Sequence, residues 1–151
     1  HIDESAADLL NKPEAIRLAI DQCAEVGFEM VIISFWSGFN MENEDPAYLA
    51  TFKELSDYAH AKGIELGAYS LLASRSVGPT NDIVDPKTGK AGGTFGVSPC
   101  IESHWGKDYF RKLYAFFEKT GMTLLGAASP VKSIHPCQHL NSANKWKSRV
   151  L

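Results

Sequence analysis

Three segments of the chain repeat one pattern of hydrophobic and polar positions: an amphipathic helix, a glycine, and then an apolar strand. The first predicted helix has an apolar face made of Ile16, Ile20, Cys23 and Ala24. Asn11 is its predicted N-cap, Pro13 suits its first turn, and Gly27 suits the left-handed residue that ends a helix. The nearly unbroken apolar stretch at residues 30–35 then predicts a strand that is buried on both faces.

The second and third segments follow the same pattern. In the second, Asp45-Pro46 is a helix start signal and Gly63 a helix end, before a strand at residues 64–71. The apolar positions of that helix are Tyr48, Phe52, Leu55 and Ala59. In the third, Gly121 separates a helix from a strand at residues 122–125. The apolar stripe of this last helix, with spacings of three and four, is Phe110, Leu113, Tyr114 and Phe117.

Repetition of this unit predicts an α/β fold, in which parallel strands are joined by crossover helices. A complete (β/α)8 barrel needs roughly 200 residues or more, whereas the chain has 151. We therefore predict part of a (β/α)8 TIM barrel. A small flavodoxin-like α/β domain is the alternative, and it is disfavoured because no phosphate loop follows a strand.

A long stretch separates the second strand from the third helix. Residues 72–105 contain turn signals at residues 85–89 and at Gly92-Gly93, which are typical of a small hairpin. In parallel α/β enzymes, insertions at the carboxyl ends of strands often form the functional site. A surface loop without such a role is the alternative.

Aromatic and polar residues that follow the predicted strands form the candidate substrate-binding site. They are Trp36, Tyr69, Arg75 and Trp105. Aromatic rings can pack on the apolar face of a sugar ring, while polar side chains bind its hydroxyl groups. This mixture favours a carbohydrate over a phosphate. The alternative is that Trp36 and Trp105 only anchor the loops to the scaffold.

Glycoside hydrolysis requires two carboxyl groups that flank one bond. The acidic residues of the predicted loops are Glu42, Glu44, Asp45, Asp82, Asp85 and Glu102. None of them directly follows a strand, where a rigid scaffold would hold it. No pair is therefore assigned a catalytic role.

Two further motifs lack the context that their chemistry requires. Residues 92–96 are rich in glycine, but they neither follow a strand nor open a helix, which argues against a phosphate site. Residues 135–139 contain three possible metal ligands at alternate positions, whereas structural zinc usually takes four ligands. No metal and no cofactor is predicted.

The net charge and the cysteines limit the classes of binding partner and the disulfide bonds that the sequence predicts. The net charge is −3, and residues 122–151 carry four bases and no acid, which is a weak footprint for nucleic acid. No apolar run is long enough to cross a membrane. Neither nucleic acid nor membrane is therefore a predicted partner. The three cysteines do not form a disulfide framework: Cys23 falls on a helix face that is predicted to be buried, while Cys100 and Cys137 could pair.

The stretches GFEMVIISFW, at residues 27–36, and FKELSDYAHAKGIELGAYS, at residues 52–70, resemble the α-galactosidase-type glycoside hydrolases of clan D, families 27 and 36. The segment from Trp105 to Leu125 is similar to the unit that carries the nucleophilic Asp in that group. The resemblance spans about residues 13–125. It implies a carbohydrate substrate, a secreted or periplasmic protein, and strands that correspond to the second, third and fourth of the barrel. Trp36 and Tyr69 would lie in the sugar-binding mouth, with Arg75 and Trp105 as neighbours.

The chain departs from the family at the position of the nucleophile. Gly126-Ala127-Ala128-Ser129-Pro130 follows Leu125, where the family has an Asp, and no acid occurs from residue 119 onward. We therefore expect a partial barrel at residues 1–125 and an irregular basic tail at residues 126–151. The expected protein is glycoside hydrolase-like but truncated, without the catalytic carboxylates. A non-catalytic carbohydrate-binding remnant is the alternative. Open barrel edges also predict a homo-oligomer that covers them.

Overall fold

The computed structural model describes residues 12–34, 38–72, 75–85, 88–91 and 96–128. Helices and strands alternate along these residues: α1 at Pro13–Val26, β1 at Met30–Ile33, α2 at Pro46–Ala61, β2 at Glu65–Leu71, α3 at His104–Thr120 and β3 at Thr123–Ala128. This order confirms the repeated helix–strand unit. It also shows that β3 continues past Leu125, the expected end of the regular part of the chain.

The described strands form one parallel sheet in the order β1-β2-β3. Met30 pairs with Glu65 at the start of β1, and Gly67 pairs with Thr123 at the start of β3. The register between β2 and β3 shifts after Ala68. The predicted α/β class with parallel strands is therefore confirmed. This part of the chain shows an open sheet, so closure into a barrel stays a prediction.

The helix ends follow the sequence signals closely. Asp45 is the N-cap of α2, where its side chain accepts a hydrogen bond of 2.8 Å from the Ala47 amide, and Pro46 begins the helix. Gly27 ends α1 with a φ of 82°, in the left-handed region that only glycine adopts without strain. The predicted cap of α1 is wrong: its N-cap is Lys12, which makes no side-chain capping bond. Pro13, which has no amide hydrogen, begins that helix as predicted.

The hydrophobic core lies between the sheet and the helices. α2 packs against β2 and against both of the other helices, and α1 packs against β1. The buried side chains at the centre are Ile20, Ile33, Phe52, Leu55, Ala59, Leu66, Ala68, Tyr109, Leu113 and Phe116. Cys23 is partly buried against this core, close to its predicted role.

The predicted apolar stripe of α3 is rotated from the observed one. Among its four positions only Leu113 is fully buried, and Tyr114 is 63% exposed. The residues that α3 buries are Gly106, Tyr109, Leu113, Phe116 and Thr120. Both stripes have helical spacing, and the observed one includes the glycine and threonine that hydrophobicity alone does not select.

One face of β1 is less covered than the other. Val31 and Ile33 of β1 contact the core, whereas Ile32 between them is 51% exposed. Successive side chains of a strand point to opposite faces. The helices therefore cover the face of β1 that carries Val31 and Ile33 and leave the Ile32 face open.

The segment between β2 and α3 folds back on itself. Two isolated antiparallel bridges, Asp82 with Pro99 and Val84 with Ala91, join its two arms. These bridges confirm the predicted hairpin-like excursion. Its base lies beside the beginning of α3, where the amide of Cys100 donates a 2.6 Å hydrogen bond to the carbonyl of Asn81.

Candidate functional site

The candidate site lies at the carboxyl edge of the sheet. The segment after β1 supplies Glu42, the segment after β2 supplies Arg75, and the first turn of α3 supplies Trp105. In parallel α/β folds, this edge brings together loops that are distant in sequence. The structure thus joins two of the predicted residues, Arg75 and Trp105, with an acid that was considered only as a loop residue.

Arg75 is the centre of the cluster. Its Nη2 donates a hydrogen bond of 2.7 Å to Oε1 of Glu42. Its guanidinium carbon lies 4.9 Å from the ring centroid of Trp105 and 5.7 Å from that of Tyr109. These are distances of cation–π contact. The side chains of Arg75 and Glu42 are 38% and 24% exposed, so water and a ligand can reach both.

The two aromatic rings are stacked, with centroids 5.0 Å apart and planes at 15°. If Arg75 and Tyr109 lay over opposite faces of Trp105, the distance from the guanidinium carbon to the Tyr109 centroid would be close to the sum of 4.9 Å and 5.0 Å, their distances from the Trp105 centroid. The observed 5.7 Å is far smaller. Both partners therefore lie on one side of the Trp105 ring, and Trp105 itself is partly buried against the core.

A turn in the excursion holds this arrangement together. The carboxylate of the buried Asp82 accepts hydrogen bonds of 2.7 Å from the Ser76 hydroxyl and 2.8 Å from the Val77 amide. The neighbouring Asn81 accepts a bond of 3.5 Å from the Trp105 amide through its side-chain oxygen. These contacts fix the chain next to Arg75 and the backbone of Trp105.

The beginning of α3 is tightly packed. The buried Ser103 is the N-cap, where its hydroxyl accepts a bond of 3.0 Å from the Gly106 amide and donates one of 2.6 Å to the Cys100 carbonyl. Cys100 is disulfide-bonded, and Cys23 is a free thiol. Cys137 lies outside the described residues, so its pairing with Cys100 stays a prediction.

Of the other two predicted site residues, the structure describes only Tyr69. Trp36 lies outside the described part of the chain. The hydroxyl of the partly buried Tyr69, on β2, lies 3.5 Å from that of Ser34, just after β1. Tyr69 therefore lies within β2 rather than after it, near the carboxyl end of the strand and in contact with the end of β1.

Three of the loop acids form contacts that tie loops and helices together. Glu44 forms an ion pair of 3.1 Å with Arg111 of α3, Asp45 caps α2, and Asp82 holds its own loop. The hydrogen bond from Arg111 holds the pKa of Glu44 below its ordinary value. The Glu44 carboxylate is thus held in a contact between its loop and α3.

The described residues show neither a metal-binding cluster nor a membrane-spanning helix. Within the ranges given above, no group of three or more His, Cys, Asp or Glu side chains is placed to hold a metal ion. None of the described helices has the length and apolar character that a membrane span requires.

Sequence reasoning missed Tyr109 and the roles of Glu42 and Asn81. A signal for Tyr109 was present, since it follows Trp105 by four residues and such positions share one side of a helix. No comparable signal marked Glu42 or Asn81, because their partners lie far away in sequence.

No protein-family model and no curated protein significantly matches the chain.

Proposed function

We propose that the chain is a carbohydrate-active protein related to the α-galactosidase-type glycoside hydrolases. In this proposal, its three units form part of the scaffold and of the sugar-binding rim of a (β/α)8 barrel. The observation that carries the proposal is the convergence of Arg75, Trp105 and Glu42 at the carboxyl edge of the sheet.

The strand order supports the barrel. Consecutive strands of a (β/α)8 barrel are neighbours in the sheet, as β1, β2 and β3 are. A flavodoxin-like sheet instead begins with the order 2-1-3, which places the first strand between the second and the third. The open face of β1 would be the interior of the barrel once further strands closed it.

The chemistry of the cluster supports a sugar ligand. A sugar ring has an apolar face of C–H groups and a rim of hydroxyls, and binding sites combine apolar surface with a few placed polar groups. Trp105 offers one ring face that neither Arg75 nor Tyr109 covers. Arg75 and Glu42 offer polar groups at the same edge of the sheet.

The proposal does not include a catalytic pair. Retaining and inverting glycosidases both use two carboxyl groups, and Glu44, Asp45 and Asp82 have the structural contacts described above. Sugar binding without hydrolysis is therefore the second candidate function. The sequence after Leu125 supports it, because Gly126 stands where the family pattern has the nucleophilic Asp.

The disulfide of Cys100 supports a secreted or periplasmic location. Disulfides persist in oxidising compartments and are rare in the cytosol. This agrees with the location that the resemblance implies.

The test is a titration of intrinsic Trp fluorescence with methyl α-galactopyranoside, methyl α-glucopyranoside and methyl α-mannopyranoside. We expect saturable binding of at least one of them, and a Trp105→Ala variant with roughly tenfold weaker binding, the equivalent of about 1.4 kcal/mol of lost stacking. Tyr114→Ala, on the exposed side of α3, is the matched control and should bind as the parent does.

Hydrolysis of aryl α-galactosides, measured in the same samples, separates the two candidates. Binding without turnover supports the non-catalytic one. Turnover that Glu44→Gln abolishes would instead identify a catalytic acid in the loop after β1. Absence of binding to all three sugars would overturn the proposed function.

A further inference from the structure

The Glu42–Arg75 pair retains unused hydrogen-bonding capacity. Arg75 donates a hydrogen bond from Nη2 to Oε1 of Glu42. In the part of the chain that the structure describes, its Nε and Nη1 groups donate to no acceptor, and Oε2 of Glu42 accepts from no donor. Both side chains are partly exposed. The pair therefore presents free donors and a free acceptor next to each other.

This combination matches a particular ligand chemistry. A hydroxyl group both donates and accepts, so two adjacent hydroxyls can accept from the guanidinium and donate to the carboxylate. Hydrogen bonds with a charged partner are stronger than those between neutral groups. A vicinal diol is thus the small group that satisfies both members of the pair together.

The charge of the pair selects against anions. The positive charge of Arg75 is balanced by Glu42, whose carboxylate would repel a carboxylate or phosphate placed at the same guanidinium. An uncharged sugar has no such penalty.

We infer that Glu42 and Arg75 together bind a vicinal diol of an uncharged pyranoside. This inference rests on the proposed function, which it deepens by assigning Glu42 to the site and by naming the ligand class. Glu42 has a direct part in ligand binding here, in addition to its contact with the loop that carries Arg75.

Substitution of Glu42 by Gln tests the inference, because the amide oxygen of Gln can still accept from Arg75 while the negative charge is removed. The probes are methyl α-galactopyranoside and methyl α-galacturonate, titrated separately by isothermal calorimetry. Glu42→Gln should weaken binding of the neutral sugar about tenfold and strengthen binding of the anionic sugar, reversing the preference of the parent protein. A change in loop position alone would weaken both.

Two further variants keep the result interpretable. Glu44→Gln removes a charge of the same loop that pairs with Arg111 and should leave the preference unchanged. Arg75→Lys keeps the positive charge but has fewer donors in a different geometry, so it should weaken the neutral sugar. Thermal unfolding of each variant shows whether it is folded.

The outcomes separate this inference from the proposed function. If Trp105→Ala weakens sugar binding while Glu42→Gln leaves both affinities unchanged, the role of Glu42 is overturned and the proposed function stands. If the parent protein binds neither methyl α-galacturonate nor any of the three neutral sugars, both are overturned. Reversal of the preference in Glu42→Gln, without reversal in Glu44→Gln, supports the inference.

Discussion

Gly106 is a residue whose identity is dictated by space. A Cβ atom at this position would lie 2.5 Å from the carbonyl oxygens of both Cys100 and Ile101. Both obstacles are backbone atoms, so they cannot move away as the end of a flexible side chain could. The first turn of α3 approaches the preceding segment this closely only because residue 106 has no side chain.

Gly106→Ala should therefore destabilise the protein although alanine favours helices. We expect a loss of about 1–3 kcal/mol in the free energy of unfolding, the usual cost of overpacking. Chemical denaturation followed by circular dichroism measures it, with the exposed neighbour Lys107→Ala as the control. An unchanged or raised midpoint for Gly106→Ala would show that the two segments separate easily.

At this scale the sequence predicts residue types better than their partners. Arg75 and Trp105 were selected because they follow strands and carry suitable chemistry, and the structure places them in contact. Glu42 could not be assigned to them, since it precedes Arg75 by 33 residues and several acids share its loop. Choosing among Glu42, Glu44 and Asp45 requires the positions of Arg75, Arg111 and the first turn of α2.

At the scale of elements, α1 and α2 are joined by a polar cluster around Tyr58. The ring of Tyr58 lies 4.6 Å from the guanidinium carbon of Arg17 and 4.9 Å from the ammonium of Lys62. Its hydroxyl donates a 2.6 Å hydrogen bond to Asp21, which also pairs with Lys62 at 2.7 Å. Asp21 of α1 thus contacts Tyr58 in the last turn of α2 and Lys62 directly after that helix.

This cluster predicts a stability difference that depends on pH. The hydrogen bond from Lys62, followed by that from Tyr58, holds the pKa of Asp21 below its ordinary value of 3.8. A carboxyl with a lowered folded-state pKa stabilises the protein above its unfolded-state pKa and loses this effect as the pH falls through the folded-state pKa. Asp21→Asn should therefore be less stable than the parent at about pH 6, and the difference should shrink as the pH falls below the ordinary pKa of 3.8 and through the lowered folded-state pKa.

Thermal unfolding of both proteins across this range measures the difference. Glu25→Gln, a carboxyl on the exposed side of the same helix, controls for the change in net charge. A gap between Asp21→Asn and the parent that is constant with pH would show that the charge of Asp21 does not contribute.

Helix boundaries were more predictable than the buried face of α3. Boundaries depend on local chemistry: Asp45 caps, Pro46 begins and Gly121 ends a helix with a φ of 70°. The buried face depends on which side meets the rest of the protein. Aromatic residues occur on several sides of α3, so periodicity alone allowed the Tyr114 side, and the close approach at Gly106 reveals the correct one.

At the scale of the whole molecule, apolar side chains are exposed beside β1, which is at the edge of the described sheet. Ile32 on the strand, Phe28 just before it and Val26 at the end of α1 are 51%, 63% and 68% exposed. An edge strand with apolar surface is prone to pairing with another chain. We therefore expect this region to associate with a second copy.

Sedimentation velocity over a range of concentrations tests this expectation. The sedimentation coefficient of the parent should rise with concentration, and Ile32→Thr, which keeps a β-branched side chain, should reduce the rise. Ile83→Thr, in the excursion, replaces an exposed isoleucine away from β1 and should behave as the parent. A parent protein that is monomeric at all concentrations would exclude the predicted homo-oligomer.

The sequential order of the strands also affects how the molecule unfolds. β1 and β3 each pair only with β2 among the described strands, and α2 lies between α1 and α3. Unfolding of a terminal helix–strand unit breaks one interface between units, whereas unfolding of the central unit breaks two. As in a short repeat array, stability is then a sum over nearest neighbours. A destabilising substitution in α1 is therefore expected to affect mainly its own unit. One in α2 or β2 removes contacts with both neighbouring units, so the units no longer fold cooperatively.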